Sequence, residues 1–246
     1  MEGQLWFTEL LNRAFAKPVS AFLDLLPQVF HPANPEAPIS NYVAMEILAI
    51  GILILFFVLV RSRLSMDKPR GIQHLAEMMD EFITQQSESI IGEHSERFSP
   101  FLTSLFLFIL ISNLIGLIPT LESPTSAIEI TLGCAVVAFV YYNFQGIRAQ
   151  GPVGYLKHFM GPVWWLAPLL FPIEILSHLA RVMSLSIRLY ANMFAGDAVT
   201  NAFFTLVPVG IPAIFLGLHV AVSVLQAYIF TLLTTIYLQG AVAHEH

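Results

Sequence analysis

The sequence predicts an all-α integral membrane protein with five membrane-crossing helices and additional amphipathic helices at the membrane surface. Of its 246 residues, 56% are hydrophobic and only 11% are charged, and the mean hydropathy is +0.72. A soluble domain carries about 25% charged residues, so this chain has too few charges to cover a water-facing surface. Its apolar runs are long enough to cross ~30 Å of hydrocarbon. We predict spans at 42–60, 101–118, 128–144, 165–206 and 212–242.

The N-terminal segment, residues 1–40, differs from the single transmembrane domain that we predict for residues 41–246. It begins without a basic region, and charged residues interrupt its apolar ones, which argues against a cleaved signal peptide. Large apolar side chains nevertheless fall close together on a helix over residues 4–16, namely Leu5, Trp6, Leu10 and Leu11. This pattern predicts an amphipathic helix that lies at the membrane interface rather than crossing it.

A second amphipathic helix is predicted between the first two spans. Residues 64–99 are mostly polar, and their apolar side chains recur at helical spacing, at Ile72, Leu75, Met79, Phe82, Ile83 and Ile90. Such a pattern gives a helix one apolar face. We expect this helix to lie along the membrane surface.

The last two apolar runs are unusually long. The sequence Pro208-Val-Gly-Ile-Pro212 separates them and predicts a turn. An upright crossing needs about 20 residues, and residues 165–206 and 212–242 both exceed that length. We therefore expect the last two helices to be strongly tilted.

The distribution of basic residues predicts the orientation in the membrane. Most of them flank the first and third spans on the same side, at Arg61, Arg63, Lys68, Arg70, Arg97, Arg148 and Lys157. Because Lys and Arg are enriched in cytoplasmic loops, we expect the N-terminus outside and, after five crossings, the C-terminus in the cytoplasm. The absence of a transit peptide favours the lipid bilayer of a bacterial plasma (inner) membrane over that of an organelle.

Several classes of function are excluded by what the sequence lacks. Its 11 Lys and Arg residues form no basic patch, which argues against nucleic-acid binding. The single cysteine, Cys134, can form neither an intrachain disulfide nor a zinc site. No Gly-rich phosphate loop followed by Lys and Ser/Thr is present. We therefore expect a non-catalytic chain that binds no nucleotide, metal or cofactor.

The most informative stretch is Ser184-Leu-Ser-Ile-Arg188-Leu-Tyr-Ala-Asn192-Met-Phe-Ala-Gly-Asp197, which lies inside the fourth span. An arginine in hydrocarbon costs ~2.5–3.5 kcal/mol even on mild insertion scales, and its guanidinium cannot lose its charge. Arg188 is therefore a candidate functional residue. It can repel cations and act as the counter-charge of a carboxylate, and Asn192 can satisfy its spare donors.

Polar residues of the fifth span can be aligned with those of the fourth. In an antiparallel hairpin, residues at the same level are equally far from the turn. Two candidate pairs place the centre of the hairpin at residue 207 or 208, inside the predicted turn: Arg188 with Gln226, and Asp197 with His219. We therefore predict that Gln226 lies at the level of Arg188, while Asp197 and His219 pair closer to the outside.

The titratable residues on either side of Arg188 predict a proton path in two halves. Asp197 and His219 titrate in accessible ranges, so they can pass a proton between outside water and the membrane interior. Glu174 and His178 are the candidates for the inner half. The chain has no further acid at the level of Arg188, so we expect the carboxylate that moves between the two halves to belong to a partner protein.

Three motifs resemble subunit a of the F-type ATP synthases, over roughly residues 70–246. They are the arginine stretch above, Leu225-Gln226-Ala-Tyr-Ile-Phe230 and Asn113-Leu-Ile-Gly-Leu-Ile-Pro119. The resemblance implies a stator-side subunit of the F0 sector. Such a subunit offers protons two offset half-channels and couples their flow to rotation of the c-subunit ring and to ATP synthesis.

The resemblance also implies roles and partners. It places Arg188 opposite the ring carboxylate, with Gln226 and Asn192 beside it. Asp197 stands where members of the family usually carry Glu or His, and His219 stands where they carry His or Glu, so the shorter acid keeps the acid–histidine pairing. The implied partners are the c-ring, the b subunits of the peripheral stalk and the rest of the F0F1 complex.

Two other functions compete with this interpretation. A secondary transporter would use Arg188 to bind an anionic substrate, but it predicts paired halves, and the sequence contains no internal repeat. A haem-binding electron-transfer subunit needs two histidines at one level. In the predicted hairpin, His178 and His219 are ~25 Å apart along the helix axes, which disfavours haem binding.

Overall fold

The computed structural model describes residues 5–23, 38–62, 64, 71–92, 95–118, 121–160, 167–206 and 211–242. Within these ranges the chain is helical and contains no β-strand. Two 3-10 turns occur there, Ser95–Arg97 and Pro124–Ser126. The α-helices of these ranges are α1 (Trp6–Leu23), α2 (Asn41–Ser62), α3 (Gly71–Ile91), α4 (Ser99–Ile115), α5 (Ile128–Met160), α6 (Ala167–Leu206) and α7 (Ile211–Val242).

The helices confirm the predicted all-α membrane fold. In the described part of the chain, four segments are long and apolar enough to cross a membrane: Asn41–Ser62, Ile128–Pro152, Pro168–Phe203 and Ala213–Val242. α4 is a shorter apolar helix of 17 residues. α1 and α3 have the amphipathic pattern that the sequence predicts for surface helices. The division into residues 1–40 and 41–246 stays a prediction.

Two helix ends differ from the predicted spans. α5 continues past Phe144 as far as Gly151, where the backbone leaves helical geometry with φ at 75°, and a second helical segment then runs on to Met160. α4 ends at Ile115, and residues 116–118 form a turn. Hydropathy shows which residues favour lipid, but a helix ends only where its backbone geometry or hydrogen bonding changes.

The lengths of the last two helices agree with the over-long apolar runs. α6 has 40 residues and α7 has 32. At about 1.5 Å per residue, α6 is ~60 Å long, about twice the thickness of the hydrocarbon core. It cannot stand upright and remain within the bilayer, which is why the sequence predicts a strong tilt.

α4 lies at the centre of the helix bundle. It packs against α2, α3 and α7. A helix that is apolar on all sides is stable only when it is surrounded by apolar material, and protein supplies much of it here. The buried side chains of α4 include Leu102, Leu105, Phe106, Leu107, Ile109 and Leu110.

A buried hydrogen-bond network ties α4 to α7 and to the 3-10 turn Pro124–Ser126. Asn113 Nδ2 donates to the carbonyl oxygen of Ser223 at 3.1 Å, and Thr125 Oγ1 donates to Asn113 Oδ1 at 2.6 Å. All three residues are fully buried. Ser223 lies one helical turn from both His219 and Gln226, so the network fixes the part of α7 that carries them.

The N-terminal helix α1 is tied to the residues that begin α2. Asn12 Nδ2 donates to the carbonyl oxygen of Ile39 at 3.1 Å, and the Ile39 N–H donates to Asn12 Oδ1 at the same distance. The Leu5 N–H donates to Asn41 Oδ1 at 3.3 Å. These bonds attach the predicted surface helix to the transmembrane bundle at one end of α2.

We predict that Asn113→Leu destabilises the protein by about 1–2 kcal/mol, because it removes the acceptor of the buried Thr125 hydroxyl and an interhelical bond. Unfolding is followed by thiol labelling of the buried Cys134 as the temperature rises. The protein is solubilised from its native membrane, and the label is quantified on the gel band of this chain. Ser104→Ala is the control, since Ser104 is exposed and donates only within its own helix. Equal midpoints for both variants would contradict this role of Asn113.

Candidate functional site

A polar cavity of about 420 Å³ lies between α2, α6, α7 and the loop that follows α4. We call it the outer cavity, because the sequence predicts these ends of the helices on the outer side. A polar cavity of this size has room for several water molecules. The polar side chains that line it include Glu122, Ser126, Asp197, Thr200, Asn201 and His219.

The outer cavity brings together the acid–histidine pair that the sequence predicts. Asp197 Oδ1 lies 3.8 Å from His219 Nε2. His219 is only 4% exposed, and among the described residues its Nε2 has no hydrogen-bond partner. A buried polar atom beside a polar cavity is satisfied by water. The geometry therefore suits proton exchange through a bridging water rather than through a direct hydrogen bond.

Gly196 allows α6 and α7 to approach closely at this pair. A Cβ atom added to Gly196 would lie 3.2 Å from the imidazole ring of His219, which is inside an ordinary van der Waals contact. Small residues let transmembrane helices pack with their backbones close together. A larger side chain in place of the glycine that precedes Asp197 would therefore push the imidazole on the neighbouring helix away by a few tenths of an ångström.

Gln226 bonds to Asn192 rather than to Arg188. Asn192 Nδ2 donates to Gln226 Oε1 at 2.7 Å, and Gln226 is buried. The sequence places Gln226 at the level of Arg188, one turn earlier on α6. The two helices of the hairpin are paired with a slightly later centre than the sequence predicts. This bond is symmetric about residue 209, and so are the stacked rings of Phe203 and Phe215, which lie 4.2 Å apart.

Arg188 is exposed on the surface of α6. Its Nη2 donates to Ser184 Oγ on the preceding turn, at 3.4 Å. In the described part of the chain, no carboxylate lies within 4.0 Å of its guanidinium. A permanent charge on an apolar helix is stable only when it is paired or hydrated. The guanidinium is therefore available to a carboxylate from outside the chain.

A second polar group, here called the inner cluster, consists of Glu174, His178 and Arg181 of α6 with Tyr142 of α5. Glu174 Oε1 lies 3.4 Å from His178 Nε2 and 3.6 Å from Arg181 Nη2. Arg181 also lies over the ring of Tyr237, 5.4 Å from its centroid. The structure thus brings together Glu174 and His178, and it pairs Glu174 also with Arg181, one turn beyond His178.

Tyr142 orients the imidazole of the inner cluster. Its hydroxyl lies 2.9 Å from His178 Nδ1, and the two rings stack with their centroids 5.8 Å apart. Both residues are buried. When the neutral ring accepts this hydroxyl proton at Nδ1, its own proton is on Nε2 and faces Glu174. The contact with Tyr142 is thus compatible with the tautomer that can donate to the acid.

Tyr142 and Glu122 are among the residues of these sites that are absent from the sequence-based set. Tyr142 lies in a span whose other residues are mostly apolar, 36 positions before His178, and no local pattern connects them. Glu122 lies in a short polar link between two spans, where an acid has no helical neighbours that would mark it as functional. Only the packing of distant segments reveals either residue.

Comparison with known proteins shows the family to which this chain belongs. A family model described as ATP synthase A chain matches residues 43–239. The chain belongs to that family. A relative from Koribacter versatilis is 55% identical over the whole of both chains and is named ATP synthase subunit a. The same name is given to a relative from Solibacter usitatus, 49% identical over 86% of this chain and 91% of its own length.

Family membership confirms the resemblance seen in the sequence. This ATP synthase subunit is an integral membrane protein, and its helices together with its bacterial relatives support a location in a bacterial inner membrane. The matched region includes both the outer cavity residues of α6 and α7 and the inner cluster. Residues 1–42 lie outside the family model but inside the match to the Koribacter relative.

We predict that Gly196→Ala lowers ATP-driven proton pumping several-fold while the complex remains assembled, because the new Cβ displaces the His219 ring by a few tenths of an ångström. Pumping is measured by fluorescence quenching in membrane vesicles. Gly217→Ala is the matched control, since a Cβ there meets no atom within 4 Å. Equal pumping by the two variants would remove the packing argument for Gly196.

Proposed function

We propose that this chain is the stator-side proton channel of its ATP synthase, and that it loads and unloads protons on carboxylates of a rotating c-subunit ring. The observation that carries the proposal is the exposed guanidinium of Arg188, which has no carboxylate of the described residues within 4.0 Å. It lies on α6 between the outer cavity and the inner cluster. A moving acid from a partner supplies the missing counter-charge.

The outer half-channel consists of the outer cavity with Asp197 and His219. A proton enters from outside water, passes between these two residues through cavity water, and neutralises a ring carboxylate. The neutral carboxyl group can then face lipid, because the cost of burying a charge in hydrocarbon disappears with the charge. The 3.8 Å separation of Asp197 and His219 supports this step.

Arg188 separates the two half-channels. Its guanidinium keeps its proton at any cellular pH, so it cannot relay one. It repels a proton that would pass directly from the outer cavity to the inner cluster, and it stabilises the ring carboxylate once that group is ionised. Gln226 and Asn192, bonded to each other at 2.7 Å, lie beside this position on the facing helices.

The inner half-channel begins at the inner cluster. A ring carboxylate that has travelled nearly a full turn releases its proton toward Glu174 and His178, and from there the proton reaches the cytoplasm. The contact of 3.4 Å between these two side chains supports a relay. A membrane potential supplies ~2.3 kcal/mol per charge per 100 mV for the complete passage.

The same proposal assigns partners, orientation and a division of labour. The c-ring faces Arg188, the b subunits of the peripheral stalk hold the chain in place, and the remaining F0F1 subunits bind nucleotide. The N-terminus is outside and the C-terminus is cytoplasmic, as the loop charges predict. The chain itself is non-catalytic, in keeping with its lack of a phosphate-binding loop in the sequence.

Arg188→Ala tests the centre of this proposal. In liposomes that contain the assembled complex, we expect loss of ATP-driven internal acidification, together with a passive proton leak under an imposed potential. Arg148→Ala, at an exposed position of α5, is the matched control and should pump normally. Undiminished pumping by an assembled Arg188→Ala complex would overturn the rotary interpretation of this arginine.

Asp197→Asn tests the outer half-channel. We expect proton pumping and proton-driven ATP synthesis to fall several-fold without loss of the subunit from the complex, because the amide cannot accept and release a proton. Asp197→Glu keeps the carboxylate and should retain most activity. Normal turnover of the Asn variant in an assembled complex would remove Asp197 from the path.

A further inference from the structure

A second acid shares the outer cavity with Asp197 and His219. Glu122 lies in the link between α4 and the 3-10 turn Pro124–Ser126, and its half-buried side chain lines the cavity. We propose that Glu122 collects protons at the outer end of the cavity and passes them to Asp197. This inference rests on the proposed function, in which Asp197 and His219 form the outer half-channel.

The position of Glu122 suits a collecting acid. It lies outside every segment that is long and apolar enough to cross a membrane, whereas Asp197 lies within Pro168–Phe203. Both side chains line the same cavity, Glu122 from its loop and Asp197 from the membrane-spanning helix. Ser126, from the same loop, lies beside the Asp197 carboxylate. Both ends of the transfer thus contact one cavity.

The support of Glu122 comes from the N-terminal part of the chain. Asn41 Nδ2 donates to Glu122 Oε1 at 3.4 Å, and Asn41 Oδ1 accepts the Leu5 N–H at 3.3 Å. An amide N–H can donate to a carboxylate and to the carbonyl oxygen of a carboxyl group. Asn41 can therefore stay bonded to Glu122 in both protonation states, with the stronger bond to the ionised one.

We expect water in the cavity between the two acids, because a buried nitrogen of His219 faces it. His219 is 4% exposed and faces the cavity, and its Nε2 has no hydrogen-bond partner among the described residues. With 3.8 Å to Asp197, this nitrogen can be satisfied by a bridging water molecule. A chain of cavity waters then connects Glu122 to the acid–histidine pair.

The titratable groups around Glu122 come from each neighbouring helix. Asp197 of α6, His219 of α7 and Tyr42 of α2 line the same cavity. Glu46 lies one turn further along α2 and is not among the residues that line the cavity. On α1, Glu9 is paired with Arg13 at 2.6 Å. The pH dependence of proton entry is therefore set by Glu122 together with Asp197 and His219.

The test is proton-driven ATP synthesis in liposomes that contain the assembled complex, with the pH varied only on the side opposite the catalytic subunits. A collecting carboxylate matters most where free protons are scarce. We expect Glu122→Gln to lower the rate several-fold at alkaline pH and hardly at all at acidic pH. Glu122→Asp should retain most of the alkaline rate. Glu129→Gln, an exposed acid at the start of α5 outside the cavity lining, is the matched control.

Two results would overturn the inference. One is a Glu122→Gln rate equal to that of Glu129→Gln at every pH, which would leave Glu122 outside the path. The other is an equal loss at every pH that Glu122→Asp shares, which would make the residue a structural support of the loop. If Asp197→Asn also turned over normally, the outer half-channel of the proposed function would lose Asp197 as well. A normal Glu122→Gln variant beside a slowed Asp197→Asn variant would reject only this inference.

Discussion

The close packing of α6 against α7 is the contact on which the functional geometry depends. Gly196 brings the His219 ring against the backbone of α6, and the bond between Asn192 and Gln226 closes the same interface about one turn away. Neither contact forms unless the hairpin has one register, because a shift of a single residue rotates each side chain by about 100° around its helix. The network around Asn113 holds that register from the other side of α7.

The permanent charge of Arg188 explains why the polar groups are divided into two separate sites. Asp197 lies nine positions after Arg188, ~13 Å along the helix, and His178 lies ten positions before it, ~15 Å in the other direction. These gaps exceed the reach of a hydrogen bond several-fold, and the residue between them cannot release a proton. In the proposed function, a proton therefore approaches Arg188 from either side and needs a mobile carrier to pass it.

Local pattern in the sequence was enough to predict the helices and the pairs that share a helix or a hairpin level. Glu174 and His178 are one turn apart on α6, so their contact follows from helix geometry alone. The Asp197–His219 pair followed from the position of the turn. The bond of Gln226 to Asn192 rather than to Arg188 did not follow from the position of the turn, because the hairpin is centred about one residue later than the turn residues suggest. Tyr142 and Glu122 lie on separate segments, whose approach depends on packing that no local pattern encodes.

The part of the chain outside the family model still contributes to the site that the family shares. The family match begins at residue 43, yet Asn41 supports Glu122 and Tyr42 lines the outer cavity. The α6–α7 hairpin carries Arg188, Asp197 and His219, and its interface leaves little space because Gly196 and the buried amide of Gln226 lie in it. The mouth of the cavity is built from a short loop and the start of α2. A change of side chain there alters access to the cavity without disturbing the packing of the hairpin.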